Sequence, residues 1–415
     1  MTTSPHESPP YLSLVVTSRN DDHGLNIMQR MQFFVDGWFH QVKRFGLPSE
    51  LVFVEWNPPK DRQRLIDALR WPAERGPGRL RIIEVPPEIH GRFQVADKLP
   101  LIQFTAKNAG IRRAKGEYVL CSNIDILFSD EMMEHLAARR LRPDRLYRND
   151  RVDVPTDLPD GGPIGEVLAY AAQHPIRING AHWTFDLRDG GIFAISSSKL
   201  AWAALLGVKL LKELSRQTPA AASGLLLAGR ILAGPGNQPF TQRKALAGSV
   251  LGAVASQWRK EFEAFATNLR LQWRKKDSQV QAHTNACGDF ELMARDKWFA
   301  LQGYPEYDGF SMHIDSLLLL GAVASGHVTE EVLPFPLRHF HIEHSAGSGF
   351  TPEGERQMYE RVAKRGIPFI LWEEVENIVE GFQLAGTRAA FNDANWGLAD
   401  AFLPETVLEP TSVLR

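Results

Sequence analysis

Between residues 11 and 128 this chain alternates short apolar runs with longer amphipathic ones, and few folds accommodate that rhythm. YLSLVVTS (11–18) is apolar and β-branched and predicts a strand buried on both faces. ELVFVEW (50–56), LRIIEVP (80–86) and EYVLCSNID (117–125) predict three more strands. Helical spacing separates them, around 26–45 and across PLIQFTAKNAGIRRAKG (100–116). Strand–helix–strand crossovers are right-handed, so the expectation is an α/β fold with a mostly parallel central sheet flanked by helices. Ligands of such sheets gather at the carboxyl ends of strands. Three of those ends are polar here: Thr17 to Asp22, Glu55 to Asn57, and Asn123 with Asp125.

GEYVLCSNIDILFSDE (116–131) carries the most specific of these ends. Residues i and i+2 of a strand face one side, so Asn123 and Asp125 are expected to point together. An amide oxygen and a carboxylate so placed can meet a hard divalent cation, which prefers oxygen ligands and keeps room for phosphate oxygens. The same two residues also suit a capped turn. Downstream, HFHIEHS (339–345) places His339 and His341 on one side of a strand and His344 towards the glycine-rich loop 346–350. Such histidines serve as metal ligands or as structural residues. HIDS (313–316) sets Asp315 in the first turn of a helix. An acid there complements the helix dipole, and it is equally able to accept a proton from a hydroxyl.

Taken in order, SLVVTSRND, ELVFVEW, AKNAGIRRAKGEYVLCSNID and GDFELMARDKWFALQGYPE resemble the landmarks of GT-A-fold glycosyltransferases. The likeness is to family 2 and the related galactosyltransferase C-terminal domains, and covers about 11–130 and 285–350. It implies a Rossmann-like GT-A sheet that binds a nucleotide-diphosphate sugar and passes the sugar to a saccharide or lipid-linked acceptor. By the same resemblance, Thr17 and Arg19 line the nucleotide, Glu55 meets the base, and Asn108 faces the nucleotide site. Asn123 and Asp125 take the D-x-D position, with Asp125 as metal ligand, His344 or His341 as a further ligand, and Mn²⁺ or Mg²⁺ as cofactor. Asp315 becomes the general base of an inverting displacement. The sequence departs from the family where Asn123 replaces an Asp and His313 replaces an acid, which leaves metal-independent transfer open. A non-catalytic nucleotide-sugar-binding protein on a degenerate GT-A fold fits both departures. A sugar-phosphate nucleotidyltransferase fits less well, because no glycine-rich phosphate loop with a basic residue lies near the N-terminus.

The chain of 415 residues has room for two domains, or for one large domain with an insertion. The expected division is a disordered tail (1–10), a nucleotide-sugar-binding half (11–198), a helical insertion (199–280), an acceptor half (281–350) and a C-terminal helical or loop extension (351–415). Residues 199–277 hold thirteen Lys or Arg and four Asp or Glu, a net of +9 within a chain of net −2. Leu251, Val254, Trp258, Phe262, Phe265, Leu269 and Trp273 form an apolar stripe there, and Trp202, Leu206, Leu210 and Leu214 a shorter one. Such a basic amphipathic unit either lies on an anionic membrane surface or packs its stripe on the body or on a second copy of the chain. The overall charge gives no reason to expect nucleic acid. Two cysteines and no signal-like N-terminus lead to a cytoplasmic expectation.

Overall fold

In the computed structural model the described residues are 9–21, 26–181, 183–188, 192–194, 280–344, 352–385 and 389–411, with the helix Phe240–Arg274 and isolated positions between 207 and 232. The chain divides into a larger unit, 1–191 with 280–415, and a smaller one, 192–279. The strands of the larger unit begin with β1 (Leu12–Ser18), β2 (Ser49–Trp56), β3 (Gly78–Val85), β4 (Tyr118–Cys121), β5 (Ile126–Phe128), β6 (Arg145–Asn149), β7 (Arg151–Val154), β8 (Arg177–Asn179) and β9 (Trp183–Asp186). After β10 (Ile192–Ala194), which belongs to the smaller unit, come β11 (Glu291–Ala294), β12 (Thr329–Leu333), β13 (His339–Ile342) and β14 (Glu405–Leu408).

The first sheet runs β12-β6-β11-β4-β1-β2-β3-β14. β1 to β4 are mutually parallel, β11 is antiparallel to both β4 and β6, and β14 is antiparallel to β3. β1 and β2 are buried along their whole length, as their apolar runs require. Leu12, Leu14 and Val16 face a core shared with the helix Ile27–Phe45 through Phe34, Trp38 and Phe39. Val15 faces the opposite core, where the helices Gln103–Arg113 and Ile314–Ala324 pack. The result is a three-layer arrangement with helices on both faces.

A second sheet has the order β9-β8-β7-β13-β5 in the larger unit. Three passes of the chain leave the first sheet and join the second almost at once: β4 to β5, β6 to β7, and β12 to β13. The fourth strand expected from the sequence therefore ends at Cys121, and Ser122 to Asp125 cross between sheets rather than continuing it. The helix Ile27–Phe45 spans the junction. Its Trp38 belongs to the core of the first sheet, while Phe33 packs with Leu127, Val152 and Phe340 of the second. Within the C-terminal stretch, β14 closes the β3 edge of the first sheet.

The helix Gln103–Arg113 lies so close to the sheet that a Cβ on Gly110 would fall 2.6 Å from Val15 Cγ1 and 3.0 Å from Val54 Cγ2. Overfilling a packed core costs about 1–3 kcal/mol. Gly110→Ala is expected to lower unfolding stability by that amount, measured by denaturant titration.

Candidate metal centre

The junction between the sheets is where charge concentrates, and strand register explains the placement. β13 pairs antiparallel with β5, setting His341 opposite Ile126, and the Ile342 amide donates to the Asp125 carbonyl at 3.0 Å. Asp125 therefore sits beside the end of β13, where His341 and His344 arrive. His344 Nε2 lies 3.4 Å from Asp125 Oδ2 and His341 Nε2 lies 3.7 Å from the same oxygen. One ligand atom from each of the three residues falls within 4.8 Å of the others. From the opposite side Arg30, on the inward face of the helix Ile27–Phe45, places Nη1 2.5 Å from Asp125 Oδ2.

Behind these three residues runs a ladder of buried ion pairs. His341 Nδ1 lies 3.0 Å from Asp153 Oδ1. Asp153 is also paired with Arg151 at 2.9 Å and Arg177 at 2.8 Å. Arg151 continues to Asp289 at 2.8 Å, and Arg177 reaches Asp186 and Glu343. Asp289 is held in place by the loop before β11. The Ser122 hydroxyl donates to its carbonyl, and the fully buried Arg148 donates to the carbonyls of His283, Asn285, Cys287 and Phe290.

These partners decide the protonation states. Burial pushes the Asp125 carboxyl up, but His341, His344 and Arg30 outweigh it and hold it well below the usual carboxylate range. Burial also pushes Asp153 and Asp289 up, and Arg151 and His341 overcome it and hold both carboxyls down. His341 is pushed down by burial and Arg151 and up by Asp125 and Asp153, with a net rise. His339 is the contrast: burial takes it to about 3, its Nδ1 lies 2.9 Å from Asn149 Oδ1, and its ring stacks on Phe290. It is a neutral structural histidine.

Asp125, His341 and His344 form a set of one carboxylate and two imidazoles, suited to Mn²⁺ and softer divalent ions more than to Mg²⁺. The set fits a cation on two grounds. The site already favours positive charge at His341, and Asp153 on Nδ1 orients the His341 ring with Nε2 towards Asp125, as a carboxylate behind a metal-bound histidine does. Arg30 sets a condition on that fit, because any bound cation must share Asp125 with a guanidinium.

The other residues singled out from the sequence separate into distinct places. Asn123 and Asp125 do not point together: they lie in a turn, where the i, i+2 rule of strands does not apply. Asn123 turns instead to Asp289 Oδ1 and accepts from Gln103 at 3.3 Å. Asp315 accepts the Gly288 amide at 2.9 Å and its own neighbour's amide, that of Ser316, at 2.8 Å. It thus borders the turn Cys287–Asp289 that carries Asp289. Thr17 donates its hydroxyl to the Val54 carbonyl at 2.9 Å, and Arg19 donates to the Pro100 carbonyl at 2.7 Å, both at the carboxyl end of β1. Glu55 is buried and accepts from the Leu65 amide and Arg64, fixing the chain after β2. Asn108 does not face a ligand site. Its amide is fully buried and is engaged by Tyr304 on both atoms and by Glu306. The loop 346–350 lies outside the described residues.

No protein-family model and no curated protein matches this chain.

Arg30, Arg151, Asp153, Arg177 and Asp289 were not among the residues expected from the sequence. RVDV (151–154) does carry a signal, since Arg151 and Asp153 alternate with Val152 and Val154 in a strand whose apolar face is core. Charges on the other face of a buried strand must pair with something.

Beside Asp315 and Gly288 lies a second buried acid. Glu291 Oε2 accepts the Tyr304 hydroxyl at 2.5 Å, and the carboxyl is raised to about 8, chiefly by burial, with Asp315 adding to the rise and Arg148 opposing it. The unfolded chain ionises nearer 4.5, so the folded form holds an extra proton between the two values. Stability therefore falls as pH rises through that window. Glu291→Gln keeps an acceptor for Tyr304 and removes the titration. It is expected to be more stable than the parent at pH 8 by roughly 1–3 kcal/mol, with the difference vanishing near pH 4, by denaturant unfolding across pH.

Proposed function

We propose that the chain is a glycosyltransferase of the GT-A kind, moving a sugar from a nucleotide diphosphate to an acceptor hydroxyl with the help of a divalent cation. The observation that carries this reading is the convergence of Asp125, His341 and His344 where β4 leaves the parallel sheet. The sheet order supports it, with β3-β2-β1-β4 parallel and β11 inserted antiparallel beside β4. So does the rule that ligands of open α/β sheets bind at the carboxyl ends of the strands. Thr17 and Arg19 lie at the carboxyl end of β1, one of those ends.

In this reading Asp125, His341 and His344 would hold the cation, which would supply charge neutralisation to the departing diphosphate. Asp153 orients His341, and Arg151 with Asp289 fixes the floor beneath it. Arg30 lies close enough to Asp125 to share in binding the phosphates. Asp315 accepts the proton of the acceptor hydroxyl, as a carboxylate within hydrogen-bond reach does. A second reading is favoured by Arg30 on Asp125 together with Asn123 in the D-x-D position: a nucleotide-sugar-binding protein in which the guanidinium replaces the metal and no transfer occurs.

The two readings differ in metal dependence and turnover. A thermal-shift screen of UDP-, GDP- and dTDP-sugars with and without Mn²⁺ is expected to raise the melting temperature for one nucleotide class, more strongly with Mn²⁺. Hydrolysis or transfer of that donor should fall at least a hundredfold in Asp125→Asn. Sugar binding that is indifferent to Mn²⁺, with no turnover, selects the second reading. Wild-type turnover in Asp125→Asn removes the mechanism.

Asp153→Asn tests the positioning role separately. It is expected to weaken Mn²⁺ binding about 10–100-fold by calorimetry, with the far-ultraviolet circular dichroism unchanged.

A further inference from the structure

The smaller unit carries a feature that the sugar-transfer reading does not use. Its long helix, Phe240–Arg274, has one line of side chains packed within the unit. Ala247 is buried, and Val250 and Val254 face Gly224, where an added Cβ would fall 2.9 Å from Val254. The apolar stripe expected from the sequence splits at this point. Val254 and Phe265 are half-buried, whereas Leu251, Trp258 and Phe262 lie along an adjacent line and are 40%, 39% and 50% exposed. Leu269 and Trp273 lie outside the side chains described. Lys244 is exposed one heptad before Leu251, and Arg259 is exposed next to Trp258. Three consecutive leucines, 225–227, are also 58%, 66% and 50% exposed in the same unit. Exposed apolar residues grouped along one line of a helix, unlike ones scattered singly, mark interaction sites.

Charge says what kind of partner. The segment 199–277 carries a net of +9, and the remainder of the chain is correspondingly acidic. Exposed Leu, Trp and Phe with Lys244, Arg259 and Lys260 close by, and with Glu261 and Glu263 beside Phe262, fit a helix that lies in a bilayer interface, its apolar side in the acyl boundary and its basic residues among anionic headgroups. No described helix is long and apolar enough to cross a membrane, so the contact is with the surface. We infer that the unit 192–279 docks the protein on an anionic lipid bilayer through Leu251, Trp258 and Phe262, flanked by Lys244 and Arg259. The inference rests on the smaller unit alone and stands or falls apart from the sugar-transfer reading.

The test uses the full chain and sedimentation with phosphatidylcholine vesicles, plain or containing phosphatidylglycerol. Binding is expected to the anionic vesicles, to weaken as sodium chloride is raised, and to be absent from plain ones. Trp258→Glu with Phe262→Glu should reduce the anionic binding by tenfold or more, with an unchanged melting temperature because both side chains are exposed. Lys244→Glu with Arg259→Glu should reduce it by a similar factor through charge alone. A failure to sediment with anionic vesicles at low salt overturns the inference. So does full retention of binding in the Trp258 and Phe262 variant. A stable dimer by light scattering that the same variant dissociates, with no vesicle binding, assigns the face to a second copy of the chain instead.

Discussion

Asp153 has to be neutralised where it stands, and much of the candidate centre follows from that requirement. It is fully buried on β7 of the second sheet, where an unpaired carboxylate is costly enough to be excluded. Arg151 and Arg177 flank it, His341 and Asn179 meet it as well, and the two arginines carry the requirement outwards, to Asp289 on one side and to Asp186 and Glu343 on the other. Breaking such a network leaves charges stranded, so its members fix one another. The ring of His341 is oriented by a need that arises one residue behind the site, at Asp153.

That dependence explains why the sequence disclosed some features and hid others. The strands β1 to β3 were legible because both faces of each are buried, and an apolar β-branched run has few other uses. The helices Gln103–Arg113 and Ile314–Ala324 were legible from spacing. The change of sheet after Cys121 was not. Local propensity cannot register it, since an apolar strand followed by another reads as one strand with a polar interruption. The consequence is specific: Asn123 and Asp125 look like a pair in the sequence, yet the crossing sends one to Asp289 and the other to His341, His344 and Arg30. Asp125, His341 and His344 did come together, because two short strands in antiparallel register bring a strand start against a strand end.

Asn108 illustrates the opposite limit. Its place in AKNAGIRRAKG gave it a ligand-facing role by resemblance, but the amide ties the helix Gln103–Arg113 to the turn at Tyr304 and Glu306. Gly303 would place a Cβ 2.2 Å from that amide oxygen. A motif residue can persist in a pattern for packing reasons that only the three-dimensional contacts disclose. Glu55, buried against Leu65 and Arg64, belongs to the same class.

The pairing of β14 with β3 has a bearing on how the protein is made. β14 is the last strand of the first sheet to be synthesised, yet it caps an edge formed by the third. Arg81 and Arg79 bind Glu405 and Glu409 in the finished fold, and those two acids are translated more than 300 residues after β3. Before β14 is made the β3 edge therefore presents a bare ladder of amides and carbonyls, the arrangement that recruits other strands. Until residues 405–408 have been made, Arg79 and Arg81 place charge along the β3 edge, which discourages a foreign strand from pairing there.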